Sequence, residues 1–175
     1  MTAYIGIDPG ANGGLAIRSD QYVEFKTMPK TEQEILGWLR CHIGWEEYLS
    51  GWRMLECRAH VEEIPTAIFG VGKSSMSKLY GSYMALRMAL TSLGIPYTTV
   101  KATEWQRALG ISPRRKARKS RPLPIGQKPE TNAEWKQRLK RKAEELYPEL
   151  KITLATSDAL LILEYCRRRY ENGKG

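Results

Sequence analysis

The chain is poor in the residues that make cross-links and soft-metal sites. Its three cysteines, Cys41, Cys57 and Cys166, form no CxxC pair and leave one thiol over, which argues against a disulfide framework and for a reducing, intracellular setting. Its two histidines, His42 and His60, have no partners at ligand spacing, so zinc is not expected. No apolar run reaches the roughly 18 residues of a membrane span, and the opening MTAYIGIDPG lacks the basic start and apolar core of a secretory leader. Aspartate occurs only as Asp8, Asp20 and Asp158. Asp20 sits in an ordinary turn, Ser19-Asp20-Gln21; the other two do not.

What is present is enough for one domain over 1–175, since 175 residues with 42% hydrophobic content can bury a sizeable core. The net charge of +9 is uneven: between Ile111 and Lys142 stand twelve Lys/Arg against Glu130 and Glu134. The rest of the chain is nearly neutral. A charge run is often only a solvated face, but a neutral body with one basic segment is what a polyanion binder needs. From Ser112 to Thr131 the chain is rich in proline and almost free of apolar residues, and it reads as a basic loop or arm at about 111–131.

Tyr4 to Ile17 reads as a buried strand, a carboxylate at its end, a glycine turn and an antiparallel return. Gly6 lets a neighbour approach the backbone closely, and Asn12-Gly13-Gly14 supplies positive-φ positions for the turn. Tyr22–Met28 alternates as a third strand. A helix follows, with Thr31 and Glu34 in capping-box spacing and Ile35, Leu36 and Leu39 on one face. Trp45–Arg58 is ambiguous. Ala59–Ile64 is a strand carrying Glu62 and Glu63, of which at most one serves a given site because strand neighbours point to opposite faces. Gly70–Ser75 resembles a phosphate loop superficially, but Ala67 stands where that loop needs glycine, and a helix lead-in capped by Ser74 or Ser75 is expected.

The helix at about 76–93 has a sheet-facing stripe of Met76, Leu79, Tyr83, Leu86, Leu90 and Leu93, and a second stripe of small residues, Gly81, Ala85 and Ala89. Tyr97–Val100 is a strand leading into Lys101, and Thr103–Leu109 a short helix. A basic helix capped by Asn132 carries Trp135, Leu139, Ala143 and Leu146 on one side. The last helix starts near Ser157 and is apolar enough to be buried.

Asp8 alone would pass for a turn opener, and Asp158 for a helix first-turn acid. Yet a carboxylate in so apolar a helix needs a cation, protonation or a partner. With Glu62 at a strand end, three acids from two strands and a helix would make a hard-oxygen site for Mg²⁺ or Mn²⁺. Two such ions about 4 Å apart can hold the attacking water and the leaving oxygen of a phosphodiester.

These residues resemble the RuvC-type Holliday junction resolvases of the ribonuclease H-like superfamily. The likeness rests on Ile5-Gly6-Ile7-Asp8-Pro9-Gly10, Val61-Glu62-Glu63-Ile64, Val100-Lys101 and Ser157-Asp158-Ala159-Leu160, in the family's order. It implies an α/β fold with a five-stranded mixed sheet, the first three strands antiparallel and the rest parallel. It implies metal ligands at Asp8, Glu62 and Asp158, and a catalytic lysine near the scissile phosphate at Lys101. Lys136 resembles a second such lysine. DNA phosphates would fall to Lys101, Arg114, Arg115, Lys116, Arg118, Lys119, Arg121, Lys136 and Lys140, with Phe69 and Tyr80 as candidates for stacking at the crossover.

Family members are symmetric homodimers joined through the helix after the glutamate strand, here the one with the Gly81, Ala85 and Ala89 stripe. The expected function is thus metal-dependent endonuclease resolution of four-way DNA junctions, leaving 5′-phosphate and 3′-hydroxyl ends. One departure is Ala155, where the family has a further acid or histidine before the helix aspartate; Glu63 or Glu164 could substitute, or three carboxylates suffice. A non-catalytic branched-DNA binder of the same fold is the alternative. A sugar-kinase or actin-type ATPase shares the opening but needs glycine-rich nucleotide loops that the sequence does not show.

Overall fold

Alternation along the first strand decides which residues reach which side of the sheet. In the computed structural model, residues 2–20, 22–43, 45–48, 51–54, 56–65, 72–116, 123 and 126–173 are described, with backbone alone at 45–48, 51–54 and 73. Strand β1 (Thr2–Asp8) places Ile5 and Ile7 in one core cluster and Tyr4 against the other, as a period of two requires. By the same parity Gly6 and Asp8 share Tyr4's side. β2 (Gly14–Arg18) returns antiparallel, with Asp8 opposite Gly14, and β3 (Val23–Thr27) pairs antiparallel with β2.

Helix α1 (Glu32–His42) starts at the expected capping box of Thr31 and Glu34. The ambiguous stretch resolves into a separate hairpin, β4 (Trp45–Tyr48) with β5 (Gly51–Met54). It then runs into β6 (Glu56–Glu62), which begins before and ends before the expected Ala59–Ile64. β6 lies parallel to β1 with Ile7 beside Val61. After α2 (Lys73–Ser92), β7 (Tyr97–Val100) lies parallel to β6, completing the order β3-β2-β1-β6-β7. This is the mixed sheet the sequence suggests. Among the described residues three helices follow: α3 (Ala102–Ala108), α4 (Asn132–Leu146) and α5 (Ser157–Glu171).

Two cores flank the sheet. On one side Ile5, Ile7, Leu15, Ile17 and Val61 meet Ile35 and Leu39 of α1 and Tyr83, Leu86 and Leu90 of α2. On the other, α5 lies directly on β1, β2 and β6, with α3 and α4 packed against it. The approach is close at Gly6, where a Cβ would stand 2.2 Å from the Leu163 amide nitrogen and 2.3 Å from the Ala159 carbonyl oxygen. From Ser157 to Cys166 every residue of α5 is buried.

Three local expectations are corrected. The turn after β1 takes its positive φ at Gly10 (124°), not at Asn12, Gly13 or Gly14. Gly13 is needed for space instead, because a Cβ there would lie 2.0 Å from the Asp8 carbonyl oxygen. α2 begins at Lys73 and is capped by Gly72, two or three residues before the proposed Ser74 or Ser75 cap, with no side-chain cap bond. α4 is capped by Thr131, not Asn132, because Glu134 three residues on closes a full capping box.

Candidate active site

The side of the sheet covered by α5 is also where the acids meet. Val61 belongs to the α1–α2 core, so Glu62, its strand neighbour, points the other way, as Asp8 does. β1 and β6 are adjacent and parallel, so both strands end at the same edge, and the first turn of α5 brings Asp158 to it. Asp158 is 6% exposed, while Glu63 is exposed.

Asp158 acts on both strand acids. Burial pushes the Asp8 carboxyl well above its ordinary range, and the negative charges of Glu62 and Asp158 push it further, with Lys136 opposing. Glu62 is raised to about 7 by burial and then by Asp158, against the indole of Trp105 and the ammonium of Lys136. These are the signs of carboxylates crowded without enough positive charge. The charge present is Lys136, whose Nζ lies 2.6 Å from Asp158 Oδ2. Burial alone would lower the Lys136 pKa, but Asp158, Asp8 and Glu62 together raise it.

Two neighbours fix the carboxylates in place. Trp105, fully buried on α3, donates its indole N–H to Glu62 Oε2 at 3.0 Å. Ser157 Oγ donates to Asp158 Oδ1 at 3.1 Å. Sequence reasoning passed over both. Trp105 follows a strand end by five residues, and nothing local marks an indole as a carboxylate's partner. Ser157 was legible only as a helix start.

Among the described residues, no three acidic, histidine or cysteine side chains stand together in metal-holding geometry. The donor chemistry nonetheless fits a hard cation: three oxygen-bearing acids, mutually repelling and partly neutralised by one ammonium. His60 is not available to such a site. It is buried on β6 against the rings of Tyr165 and Tyr170, and burial, then Arg169, lower its pKa to about 4. Neither of the two acids weighed as substitutes at Ala155 is available. Glu164 is spent on Arg167, Arg168 and the hydroxyl of Tyr147, and Glu63 lies on the wrong parity.

The remaining site residues fall in different places. Lys101 is exposed just after Val100, which is paired with Glu62 across β6 and β7. Lys140 pairs with Glu144 at 3.0 Å. Arg115 and Lys116 are exposed, whereas Arg114 is half-buried. Arg114 donates to the Glu130 carbonyl at 3.0 Å and to Asn132 Oδ1 at 3.4 Å. Arg118, Lys119, Arg121 and Phe69 lie outside the described residues.

The root of the basic segment is tied down rather than loose. Buried Glu130 takes Arg138 Nε and Nη2 at 3.0 Å each, and its amide donates to the Arg115 carbonyl at 2.9 Å. Arg138 also donates to Ser112 O at 2.9 Å and stacks over Trp135 at 4.4 Å. This clasp was not foreseen, because its partners are separated by eight to twenty-six residues.

On α2, the small-residue stripe is only partly free. Gly81 is open, and a Cβ there would meet nothing within 4 Å. Ala89 packs on the core. Tyr80 also packs there and donates its hydroxyl to the Pro65 carbonyl at 3.1 Å. The open apolar residues of the helix are Met84 and Met88, 54% and 67% exposed.

No family model matches the chain, and no curated protein does. Solved structures do. Thermus thermophilus RuvC in complex with a Holliday junction substrate superposes with a TM-score of 0.58 over 99% of this chain and 98% of that one, at 16% identity. A second structure of T. thermophilus RuvC gives a TM-score of 0.55 over 98% and 97%, at 18% identity. The fold is therefore that of RuvC, end to end.

Proposed function

We propose that the protein is a divalent-metal-dependent endonuclease that resolves four-way DNA junctions as a symmetric homodimer. The observation that carries this reading is the upward shift of the Asp8 and Glu62 carboxyls, by burial and by the neighbouring charge of Asp158, at one edge of a RuvC-like sheet with Lys136 among them. Such crowding is costly in a resting protein and is the expected form of a site awaiting cations. The RuvC structure it resembles was solved with a Holliday junction, which supports branched DNA as the substrate class.

Asp8, Glu62 and Asp158 would hold Mg²⁺ or Mn²⁺. Two ions there would polarise the phosphate, activate the attacking water and stabilise the leaving 3′ oxygen, giving 5′-phosphate ends. The chain's own residues do the rest. Trp105 holds one oxygen of Glu62 and leaves the other to bind; Ser157 does the same for Asp158. Lys136, freed from Asp158, and Lys101, beyond the end of β7, neutralise charge on the phosphate as it builds. Arg115, Lys116 and their neighbours in the basic segment hold flanking phosphates, where affinity is mainly electrostatic. The two buried thiols, Cys57 and Cys166, have pKa values raised by burial to about 11 and about 12, which suits inert core residues in a reducing compartment.

A non-catalytic junction binder is the second reading. It is favoured by one observation, the ammonium already seated on Asp158 without a three-acid cluster in ligand geometry. A synthetic four-way junction with Mg²⁺ separates the two. The nuclease reading expects paired nicks in strands of like polarity, abolished by Asp8→Asn with junction binding retained. Binding without any metal-dependent cutting by the wild-type protein would leave the second reading standing.

A further inference from the structure

A groove runs from Lys101 to Lys136, between α3, the root of the basic segment and the start of α4. It consists of two cavities, of about 680 and 350 Å³, which share Thr103, Gln106 and Pro113. Lys101 lines the larger, and Arg114, Lys116 and Lys136 line the smaller. The one acid among the described wall residues, Glu104, is occupied by the Tyr165 hydroxyl at 2.7 Å and Arg169 at 3.3 Å. The groove is therefore cationic along its length, and it touches the acidic site at Lys136.

Its walls are built in advance. Arg138 ties the carbonyls of Ser112 and Pro113 to Glu130, which fixes one wall against α4. On α3, the Gln106 carbonyl accepts the Ile111 amide at 2.8 Å, closing the helix over the groove. The Gln106 side chain is half-buried, lines both cavities and makes no hydrogen bond with any described residue. A carboxamide offers one acceptor and one donor side by side, the pattern that pairs with a base edge, adenine above all. Its neighbour Trp105 is the residue that grips Glu62.

Resting on the nuclease reading, we propose that one DNA strand lies in this groove and that Gln106 reads a base beside the cut. The lysines at the two ends carry the backbone phosphates, and sequence preference arises at the middle. Glu62 and the base reader are joined through adjacent residues of one short helix, so a matched base also supports the helix that positions the ligand.

The test is selection of four-way junctions with randomised bases around the crossover, using Asp8→Asn protein so that binding alone is scored. The expected result is enrichment of adenine at one position by about 5-fold or more, the range of a good carboxamide–base pair. Gln106→Ala added to Asp8→Asn should flatten that position alone. Gln106→Glu should move the preference toward cytosine, whose amino group a carboxylate accepts, and this gain shows that the variant is folded. Unchanged enrichment in Gln106→Ala, or none in the parent, overturns the inference. If wild-type protein cuts junctions but the enrichment ignores Gln106, only the groove assignment fails. If nothing is cut while the enrichment tracks Gln106, the nuclease reading fails and the groove stands as a DNA-binding site.

Discussion

Lys136 sets the charge balance of the site. Its ammonium lies 2.6 Å from Asp158 and lowers the cost of all three carboxylates at once. A metal must therefore compete with a tethered cation. Lys136→Met should bind Mn²⁺ more tightly in the absence of DNA, by several-fold in calorimetry, yet cut junctions poorly. The metal-free variant should also melt at a lower temperature, since Asp158 is left buried without its partner. Equal Mn²⁺ affinity in the two proteins would remove Lys136 from the competition.

His60 gives the fold a pH dependence of its own. Its Nδ1 is buried without a partner among the described residues, and burial lowers its pKa to about 4. The unfolded chain takes up a proton near 6.5 and the folded one does not, so stability falls as pH drops from 6.5 toward 4. The loss reaches about 2 kcal/mol by pH 5. Glu62, raised to about 7, works the other way, because the folded protein gains that proton first. Comparison of wild type with His60→Leu by denaturant unfolding at pH 7 and pH 5 isolates the imidazole. The variant should lose less, or gain, on acidification; parallel losses would exonerate His60.

At the scale of elements, β1 and α5 form the central contact, and Gly6 is its condition. A methyl at this position meets the backbone of both Leu163 and Ala159, and neither can move without displacing the buried length of α5. Gly6→Ala should cost about 3 kcal/mol or more and appear as a large fall in melting temperature; a small fall would mean that α5 can lift. Such elements were legible in sequence because their signals are local and repeated: alternation in β3, the apolar run of α5, the Thr31–Glu34 box. The acids were legible because Asp8 and Asp158 sit in apolar company that a carboxylate does not choose by itself. The register of β6 was not, since Glu56-Cys57-Arg58 carries charges on its half-buried side. The Trp105–Glu62, Lys136–Asp158 and Arg138–Glu130 pairs were not legible either. Each joins residues that only the completed sheet and its helices bring together.

For the whole molecule, the open question is the two-fold partner. A four-way junction is itself nearly two-fold, so a paired cut asks for two sites related in the same way. The apolar surface α2 leaves uncovered is Met84 and Met88 rather than the whole Gly81, Ala85 and Ala89 stripe, since Ala89 is turned into the core. Gly81 and half-exposed Ala85 still allow a second backbone to come near. Ala85→Glu and Met88→Lys should each shift sedimentation from dimer to monomer and convert paired nicking to single nicks. A dimer that survives both would place the contact elsewhere.

The hydrogen bond from the Glu130 amide to the Arg115 carbonyl, 2.9 Å long, brings the two ends of the intervening chain side by side. A two-residue splice between Arg115 and Glu130 could therefore keep this hydrogen bond, and the Arg138 contacts to Ser112, Pro113 and Glu130 lie outside the spliced stretch. The splice would remove Lys116, Arg118, Lys119, Arg121 and Lys128 and leave all three acids of the site. A spliced chain keeps Lys101 and Lys136 while losing these five cations, so it would separate the charge of the segment from the chemistry proposed for the acids.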